Sequence, residues 1–173
     1  MIPIMTKKPE SKGLIVHTRW AIRRDMDEVL AIEQASFPDP WTDDDFIRCL
    51  RQKQNISVVA EHSEKIVGYM VYGLEKYSIS LINLAIAPEY RRLGVGAQLI
   101  AKVRAKLSTQ KRKRLVVVVR ETNLDACKFF RAIGFKAVNV LRNYWPETGE
   151  AAYRMVYSLG DPVCRRWPDE VQA

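Results

Sequence analysis

A basic turn that contains glycine is the part of this chain best suited to bind an anion. It runs from Arg91 to Ala97 and reads Arg-Arg-Leu-Gly-Val-Gly-Ala. Arginine carries a fixed positive charge and forked donors that match phosphate oxygens. Glycine has no Cβ atom, so a ligand can approach its backbone closely and positive φ is available. These residue types in this order predict a binding site for a diphosphate.

The elements on either side of the turn strengthen this prediction. The apolar stretch 81–87 before the turn is typical of a strand, and the spacing after it is typical of an amphipathic helix that continues to about Gln110. The apolar face of that helix consists of Leu99, Ile100, Val103 and Leu107. The first amides of a helix have no partner within the helix, and its dipole makes that end positive. A strand, a basic turn and a helix in succession therefore predict a cradle for phosphate.

The sequence around the turn resembles a known cofactor-binding motif. The turn matches neither the P-loop, which ends in Gly-Lys-Ser/Thr, nor the dinucleotide pattern Gly-x-Gly-x-x-Gly. Residues 83–97 resemble the acyl-CoA-binding motif of the Gcn5-related N-acetyltransferases, Gln/Arg-x-x-Gly-x-Gly/Ala after a strand. The resemblance implies acetyl-CoA as cosubstrate and an α/β fold, with one central mixed sheet flanked by helices. In that family the strand before the turn splays from the next strand, and the pantetheine arm inserts between them.

Other segments are similar to the ribosomal-protein-alanine N-acetyltransferase branch of that family. They lie within residues 32–42, 83–86, 119–123, 129–135 and 142–146. The branch implies a protein or peptide N-terminus as the acceptor, with ribosomal proteins among the candidates. Carried over residue by residue, the implied cofactor contacts are the backbone of Leu84, Ala85 and Ile86, the turn residues Arg91, Arg92, Leu93, Gly94, Val95, Gly96 and Ala97, and Asn123. Asn123 also has the place of an N-cap, a role that uses different atoms.

The acceptor side carries aromatic residues on two separate segments. The pair Tyr144–Trp145 resembles the aromatic residues that clamp a peptide backbone in related enzymes. Phe37 and Trp41, on either side of a proline-rich stretch, would face that pair. These four residues are the predicted acceptor-binding residues.

The catalytic pair of the branch is missing from this chain. Its glutamate base, two residues before the arginine of the buried strand, is replaced by Val118, and its tyrosine acid is replaced by Phe130. Tyr153 is the predicted replacement for the acid and Glu150 for the base. The alternatives are Tyr144 and Tyr77 as acids, and Glu121 as a base.

A site without a carboxylate base favours a weakly basic amine as acceptor. An α-amine, with a pKa of roughly 7.7–8.0, is neutral in about a tenth of molecules at pH 7, whereas lysine is neutral in fewer than about one in a thousand. The sequence therefore favours transfer to an N-terminal α-amine. Two other functions stay open, namely acetylation of a small-molecule amine and non-catalytic binding of acyl-CoA.

The hydrophobic pattern predicts the element order βααβββαβαββ on one sheet. Asp25 and Glu28 have the spacing of a capping box at the first helix, and Thr42 and Asp45 have it at the second. The continuous apolar run 115–119 predicts a strand buried on both faces. We predict one N-acetyltransferase domain over residues 14–159, with terminal tails at 1–13 and 160–173.

The chain has 173 residues and a formal net charge of +8, and its composition predicts a basic globular protein. That charge attracts anions such as CoA phosphates, RNA and acidic peptides, and repels polyamines. The densest cluster is Lys-Arg-Lys-Arg at 111–114. We favour a solvated loop there over a contact with RNA or with the 3′-phosphate of CoA. A monomer and a homodimer are both compatible with the sequence.

The cysteines and the hydropathy profile indicate a cytoplasmic protein. Cys49, Cys127 and Cys164 are odd in number, far apart and outside any Cys-x-x-Cys motif, which is typical of reduced thiols. No apolar run approaches the ~18 residues of a membrane span. Since the chain contains only His17 and His62 as histidines, we expect no metal site.

Overall fold

The computed structural model describes residues 13–160, and its elements follow the predicted order. The strands are β1 (His17–Trp20), β2 (Asn55–His62), β3 (Lys65–Leu74), β4 (Ser78–Ile86), β5 (Arg114–Arg120), β6 (Lys136–Trp145) and β7 (Glu150–Ser158). The helices are α1 (Met26–Ser36), α2 (Asp43–Leu50), α3 (Val95–Arg104) and α4 (Leu124–Ala132). Apart from Gly13 and Gly160, the predicted tails lie outside the described residues.

The seven strands form one mixed sheet in the order β1-β2-β3-β4-β5-β7-β6. Only the β4–β5 pair is parallel. Helices α3 and α4 pack on one face through a core that includes Leu99 and Phe130. Helices α1 and α2 pack on the other face through Val29, Ile32 and Phe46. The predicted central mixed sheet flanked by helices is confirmed.

The parallel pair separates halfway along its length. Residues Ser78–Leu81 of β4 pair with Arg114–Val117 of β5, and within the described chain no ladder joins the two strands beyond that point. The separation begins where Ile82 bulges out of the β3–β4 register, because Tyr72 pairs with Leu81 and Val71 with Asn83. A bulge bends its strand and increases the local twist. The sheet therefore opens into a cleft between the C-terminal halves of β4 and β5.

The prediction that β5 is buried on both faces is wrong. Leu115, Val117 and Val119 are buried, but Val116 and Val118 are only half-buried. Helices α1 and α2 pack mainly against β2, β3 and β4, so the other face of β5 is only half-buried. Val118 lies on that face beyond the paired residues, at the open cleft.

Helix α3 ends at Arg104, six residues before the predicted end. The chain tightens there, because Lys106 N–H donates to Val103 O and Leu107 N–H donates to Arg104 O. The basic loop 111–114 follows, at the N-terminal end of β5 and opposite the end at which β4 enters the glycine turn. A contact between this loop and the 3′-phosphate of CoA is therefore not supported.

The two predicted capping boxes have different outcomes. At α2, Thr42 N–H donates to the Asp45 carboxylate at 2.9 Å and Asp45 N–H donates to Thr42 Oγ1, as predicted. At α1, the Asp25 carboxylate is buried and accepts from Nη1 and Nη2 of Arg19, at 2.7 and 2.9 Å, and from Ile22 N–H at 2.8 Å. Glu28 instead accepts from Ile66 N–H in β3. Asp25 therefore joins β1 to the start of α1.

The ion pair with Arg19 lowers the pKa of the Asp25 carboxyl. Because its pKa is lower in the folded chain, the pair stabilises the fold above the unfolded pKa of about 4, and this contribution is lost as the pH falls through the folded value. We expect Asp25→Asn to lower the free energy of unfolding by about 2 kcal/mol at pH 7, as measured by urea denaturation. Asp27→Asn, at an exposed position in the first turn of α1, is the control. Equal losses in the two variants would contradict this role of Asp25.

Candidate functional site

The amides at the start of α3 precede the hydrogen-bond ladder of that helix. The Gln98 N–H donates to Gly94 O at 3.2 Å, and this is the first bond of the ladder. The N–H groups of Val95, Gly96 and Ala97 therefore lie at the positive end of the helix dipole. This arrangement fits a diphosphate, as the sequence predicts.

The two glycines of the turn meet different demands. Gly94 has φ +83°, and no atom lies within 4 Å of the position that a Cβ would take. A Cβ on Gly96 would lie 3.1 Å from the Phe129 ring. Gly94 therefore leaves open space for a ligand, whereas Gly96 lets α4 pack closely on α3. Close approach of a ligand explains the first glycine but not the second.

The two arginines of the turn also differ. Arg91 donates to Ile86 O at 2.9 Å and to Ser36 Oγ at 3.0 Å, so it ties the turn to β4 and to α1. Arg92 is exposed and lies 4.0 Å from the equally exposed Asp125 carboxylate. Such an exposed pair is weak. Arg92 is therefore the guanidinium that can turn to an anion on the cradle.

The N-terminal segment is attached to the same turn. Leu14 N–H donates to Leu93 O at 2.9 Å. The Gln98 amide, on α3, donates to Leu14 O at 2.6 Å and accepts from Val16 N–H at 3.2 Å. These bonds hold residues 14–16 against the turn and the first turn of α3.

The predicted cofactor residues on β4 lie in its separated half. Leu84, Ala85 and Ile86 pair with β3 along one edge of the strand, and their other edge faces the cleft. An exposed strand edge offers backbone groups to an extended ligand, as an added strand would use them. Asn123 Oδ1 accepts from Ala126 N–H at 3.1 Å, so its predicted cap role is confirmed.

The two positions of the family's catalytic pair are both apolar. Val118 lies on the half-buried face of β5 that lines the cleft. Phe130 is 4% exposed and packs edge-to-face with Phe129 and Phe135. Neither position can transfer a proton.

The candidate tyrosine acids lie in different places. Tyr153 on β7 pairs with Val119 and packs against the core cluster that contains Phe130. It therefore lies on the same face of the sheet as Phe130, which occupies the position of the tyrosine acid in the resembled branch. Tyr144 is half-exposed on β6. Tyr77 is 69% exposed just before β4, at the end of the sheet away from the cleft, which excludes it as the acid.

The hydrogen bonds that Glu150 accepts do not suit a general base. Its carboxylate accepts from Thr122 Oγ1 at 2.7 Å, from Thr148 Oγ1 at 3.1 Å and from Arg120. The bond from Thr122, followed by that from Arg120, lowers the pKa of Glu150. A carboxylate held in this way is a poor proton acceptor. The alternative base, Glu121, accepts from Ala151 N–H at 2.9 Å.

Arg120, which the sequence analysis did not select, joins the two acceptor segments. Besides its ion pair with Glu150, its guanidinium carbon lies 4.2 Å from the centroid of the Trp145 ring. Its Nη2 atom lies 3.8 Å from a carboxylate oxygen of Asp39, which is in the loop between α1 and α2. Phe37 and Trp41 belong to the same loop as Asp39, and Tyr144 packs edge-to-face on Trp145. All four predicted acceptor residues are thus on segments that Arg120 links across the cleft.

Comparison with known proteins agrees with this geometry. The profile of the Acetyltransferase (GNAT) family matches residues 26–135. The chain belongs to the GNAT family. It is 29% identical over 161 residues to an N-alpha-acetyltransferase of Sulfurisphaera tokodaii, covering 86% of this chain and 96% of the relative. It is 28% identical over 149 residues to a putative ribosomal protein bS18-alanine N-acetyltransferase of Bacillus subtilis, covering 83% and 99%.

A solved structure confirms the fold of this GNAT protein. Arabidopsis thaliana NAA60 in complex with acetyl-CoA superposes with a TM-score of 0.74 at 17% identity, covering 84% of this chain and all of that one. The family assignment makes the protein an N-acetyltransferase with acetyl-CoA as its cosubstrate. Residues 13–160 contain no group of His, Cys, Asp and Glu side chains that could hold a metal ion. No helix in that range is long and apolar enough to span a membrane.

Proposed function

We propose that this GNAT protein acetylates the N-terminal α-amine of a protein or peptide. The observation that carries the proposal is the acceptor cleft, where Arg120 lies between the Trp145 hairpin and the loop that contains Asp39. Two aromatic-lined segments on opposite sides of a cleft suit an extended peptide better than a compact amine. The names of the two relatives, which act on protein N-termini, support the same acceptor class.

The chain's own residues have distinct parts in the proposed reaction. Acetyl-CoA supplies the thioester, whose carbonyl carbon the neutral amine attacks. The α3 amides and Arg92 hold its diphosphate, and the free edge of β4 orients its arm. Tyr153 is the proposed proton donor to the leaving thiolate, and the proton that the nitrogen loses as the amide forms passes through water to restore the Tyr153 hydroxyl. Because position 118 is a valine and not a glutamate, no carboxylate there deprotonates the amine, which must enter the site in its neutral form. Correct placement of the two reactants then supplies most of the rate enhancement.

The test is incubation of the protein with acetyl-CoA and a panel of acceptors, with release of the CoA thiol as the readout. We expect release with peptides that begin with alanine or serine, including the N-terminal peptide of a ribosomal protein. Release only with small amines would replace the proposal with small-molecule acetylation. Binding of CoA without turnover on any acceptor would mean a non-catalytic acyl-CoA-binding domain.

Location and assembly extend the proposal. We propose a cytoplasmic enzyme, consistent with the unpaired Cys49 and Cys127, that acts as a monomer or homodimer. The basic loop 111–114 is proposed as a solvated loop rather than an RNA contact. Arg112 donates to Glu75 O at 2.6 Å, which fixes the loop to the β3–β4 connection.

Removal of the Arg120 guanidinium is expected to weaken peptide binding. Arg120→Met approximates the length of the side chain but loses the stacking on Trp145 and the ion pairs with Glu150 and Asp39. Since a cation–π contact contributes about 0.5–2 kcal/mol, we expect KM for the peptide to rise about tenfold while Kd for acetyl-CoA changes less than twofold. Arg142→Met, exposed on the same hairpin, is the control. An unchanged KM, or an equal rise in the control, would contradict the role of Arg120.

A further inference from the structure

A buried carboxylate beside the acceptor loop has no part in the mechanism described so far. Glu33 on α1 is 1% exposed. Burying a charged carboxylate is unfavourable unless donors surround it. Its surroundings therefore indicate why a glutamate occupies this position.

Three donors from three different elements surround Glu33. Trp41 N–H, in the loop after α1, donates to Oε1 at 2.8 Å. The Tyr69 hydroxyl on β3 donates to Oε2. The Asn83 side-chain amide on β4 lies 3.3 Å from both carboxylate oxygens. Since a carboxylate only accepts, the NH2 group of Asn83 must face it.

The arrangement suits a charged carboxylate rather than a protonated one. The Trp41 and Asn83 groups can only donate here, so they offer no acceptor to a carboxylic proton. Burial, followed by the bond to Glu33, raises the pKa of the Tyr69 hydroxyl, which therefore keeps the proton that it donates to Glu33.

The donors belong to both substrate sites. Trp41 is in the acceptor loop, whose Asp39 pairs with Arg120. Asn83 lies in the separated half of β4, directly before the edge Leu84–Ile86 that the thioester arm is proposed to use. One carboxylate thus connects the wall that would hold the amine to the strand that would hold the acetyl group.

We propose that Glu33 is a positioning residue that sets the distance between the acceptor loop and the thioester-binding strand. This inference rests on the proposed function. In a site without the usual base and acid, the rate depends mainly on the placement of the two reactants. A displacement of about 1 Å can then lower the rate by about 100-fold.

The test is Glu33→Gln, which keeps the shape of the side chain but directs an NH2 group at one of the donors. We expect kcat for peptide acetylation to fall at least tenfold, while Kd for acetyl-CoA, measured by calorimetry, changes less than twofold. Glu28→Gln is the matched control, because Glu28 is on the same helix and also accepts from a strand amide. A kcat within twofold of wild type, or an equal loss in the control, would overturn the proposal.

A second substitution distinguishes positioning from general loss of structure. In Glu33→Gln/Asn83→Asp the amide and carboxylate exchange places, so the link between α1 and β4 is formed again in reverse. We expect this double variant to recover at least part of the lost kcat. If each substitution only damaged the structure, the second one would lower kcat further. If Glu33→Gln does not fold, Asn83→Ala tests the same link, and its full activity would overturn the proposal.

The outcome remains separate from that of the proposed function. If the wild-type protein acetylates no peptide, the function fails. Crystal structures of wild type and Glu33→Gln then decide the positioning role. A shift of loop 37–42 relative to β4 would support it, and an unchanged distance would overturn it.

Discussion

Replacement of Gly94 with valine is expected to raise Kd for acetyl-CoA at least 100-fold in calorimetry. Gly94 has φ +83°, a conformation that costs a residue with a side chain about 1–2 kcal/mol. The space beside its Cα is open, so a valine side chain would project into the region where the diphosphate is expected. The loss corresponds to about 2.7 kcal/mol or more of binding free energy.

Gly149→Val is the control for backbone strain. Gly149 has φ +69° and similar open space, but it lies in the β6–β7 hairpin, away from the turn at α3. We expect it to lower the melting temperature as Gly94→Val does, with little change in Kd for acetyl-CoA. If Gly94→Val binds acetyl-CoA as tightly as wild type does, the turn at α3 does not hold the diphosphate.

The second large expected effect is a preference for an N-terminal α-amine over a lysine side chain as the acceptor. At pH 7 we expect a peptide with a free α-amine to be acetylated at least 100-fold faster than an N-terminally blocked peptide with one lysine. The reason is the neutral fraction, which is about a tenth for the α-amine and under about a thousandth for lysine. Competition between the two peptides, followed by mass spectrometry, measures the ratio.

Val118→Glu tests the cause of this discrimination. It places a carboxylate on the half-buried face of β5 that lines the cleft. A base there can deprotonate the acceptor, so we expect the lysine rate to rise at least tenfold and the ratio to narrow. Val116→Glu, on the same face two residues earlier, is the control. A wild-type ratio near one would show that the amine's protonation does not limit the reaction.

Local signals account for the parts of this structure that the sequence predicts. The cradle amides follow one another in the chain, because they are the first N–H groups of α3. The capping box at Thr42 and Asp45 is equally local, with both partners in one helical turn. The contacts that hold the turn in place, from Arg91 to Ser36 and from Leu14 to Leu93, are not local, and the sequence does not predict them.

The features that the sequence does not predict depend on partners from other elements of the fold. The Asp25 carboxylate has the spacing of a helix cap, but it accepts from Arg19 on β1 and from Ile22 N–H. Arg120 is 81 positions from Asp39 along the chain, and only the folded sheet brings them together. The sequence around Glu33 is that of an ordinary helix, and it does not indicate the hydrogen bonds with Tyr69 and Asn83, which lie far away along the chain.

The attachment of Leu14 to Leu93 and Gln98 has a practical consequence for handling the protein. A purification tag or fusion partner joined directly to Gly13 would lie beside the loop that is proposed to bind the diphosphate of the cosubstrate. Deletion of residues 13–16 would leave the Leu93 carbonyl and the Gln98 amide without these bonds. Truncated variants of this enzyme should therefore retain residues 13–16.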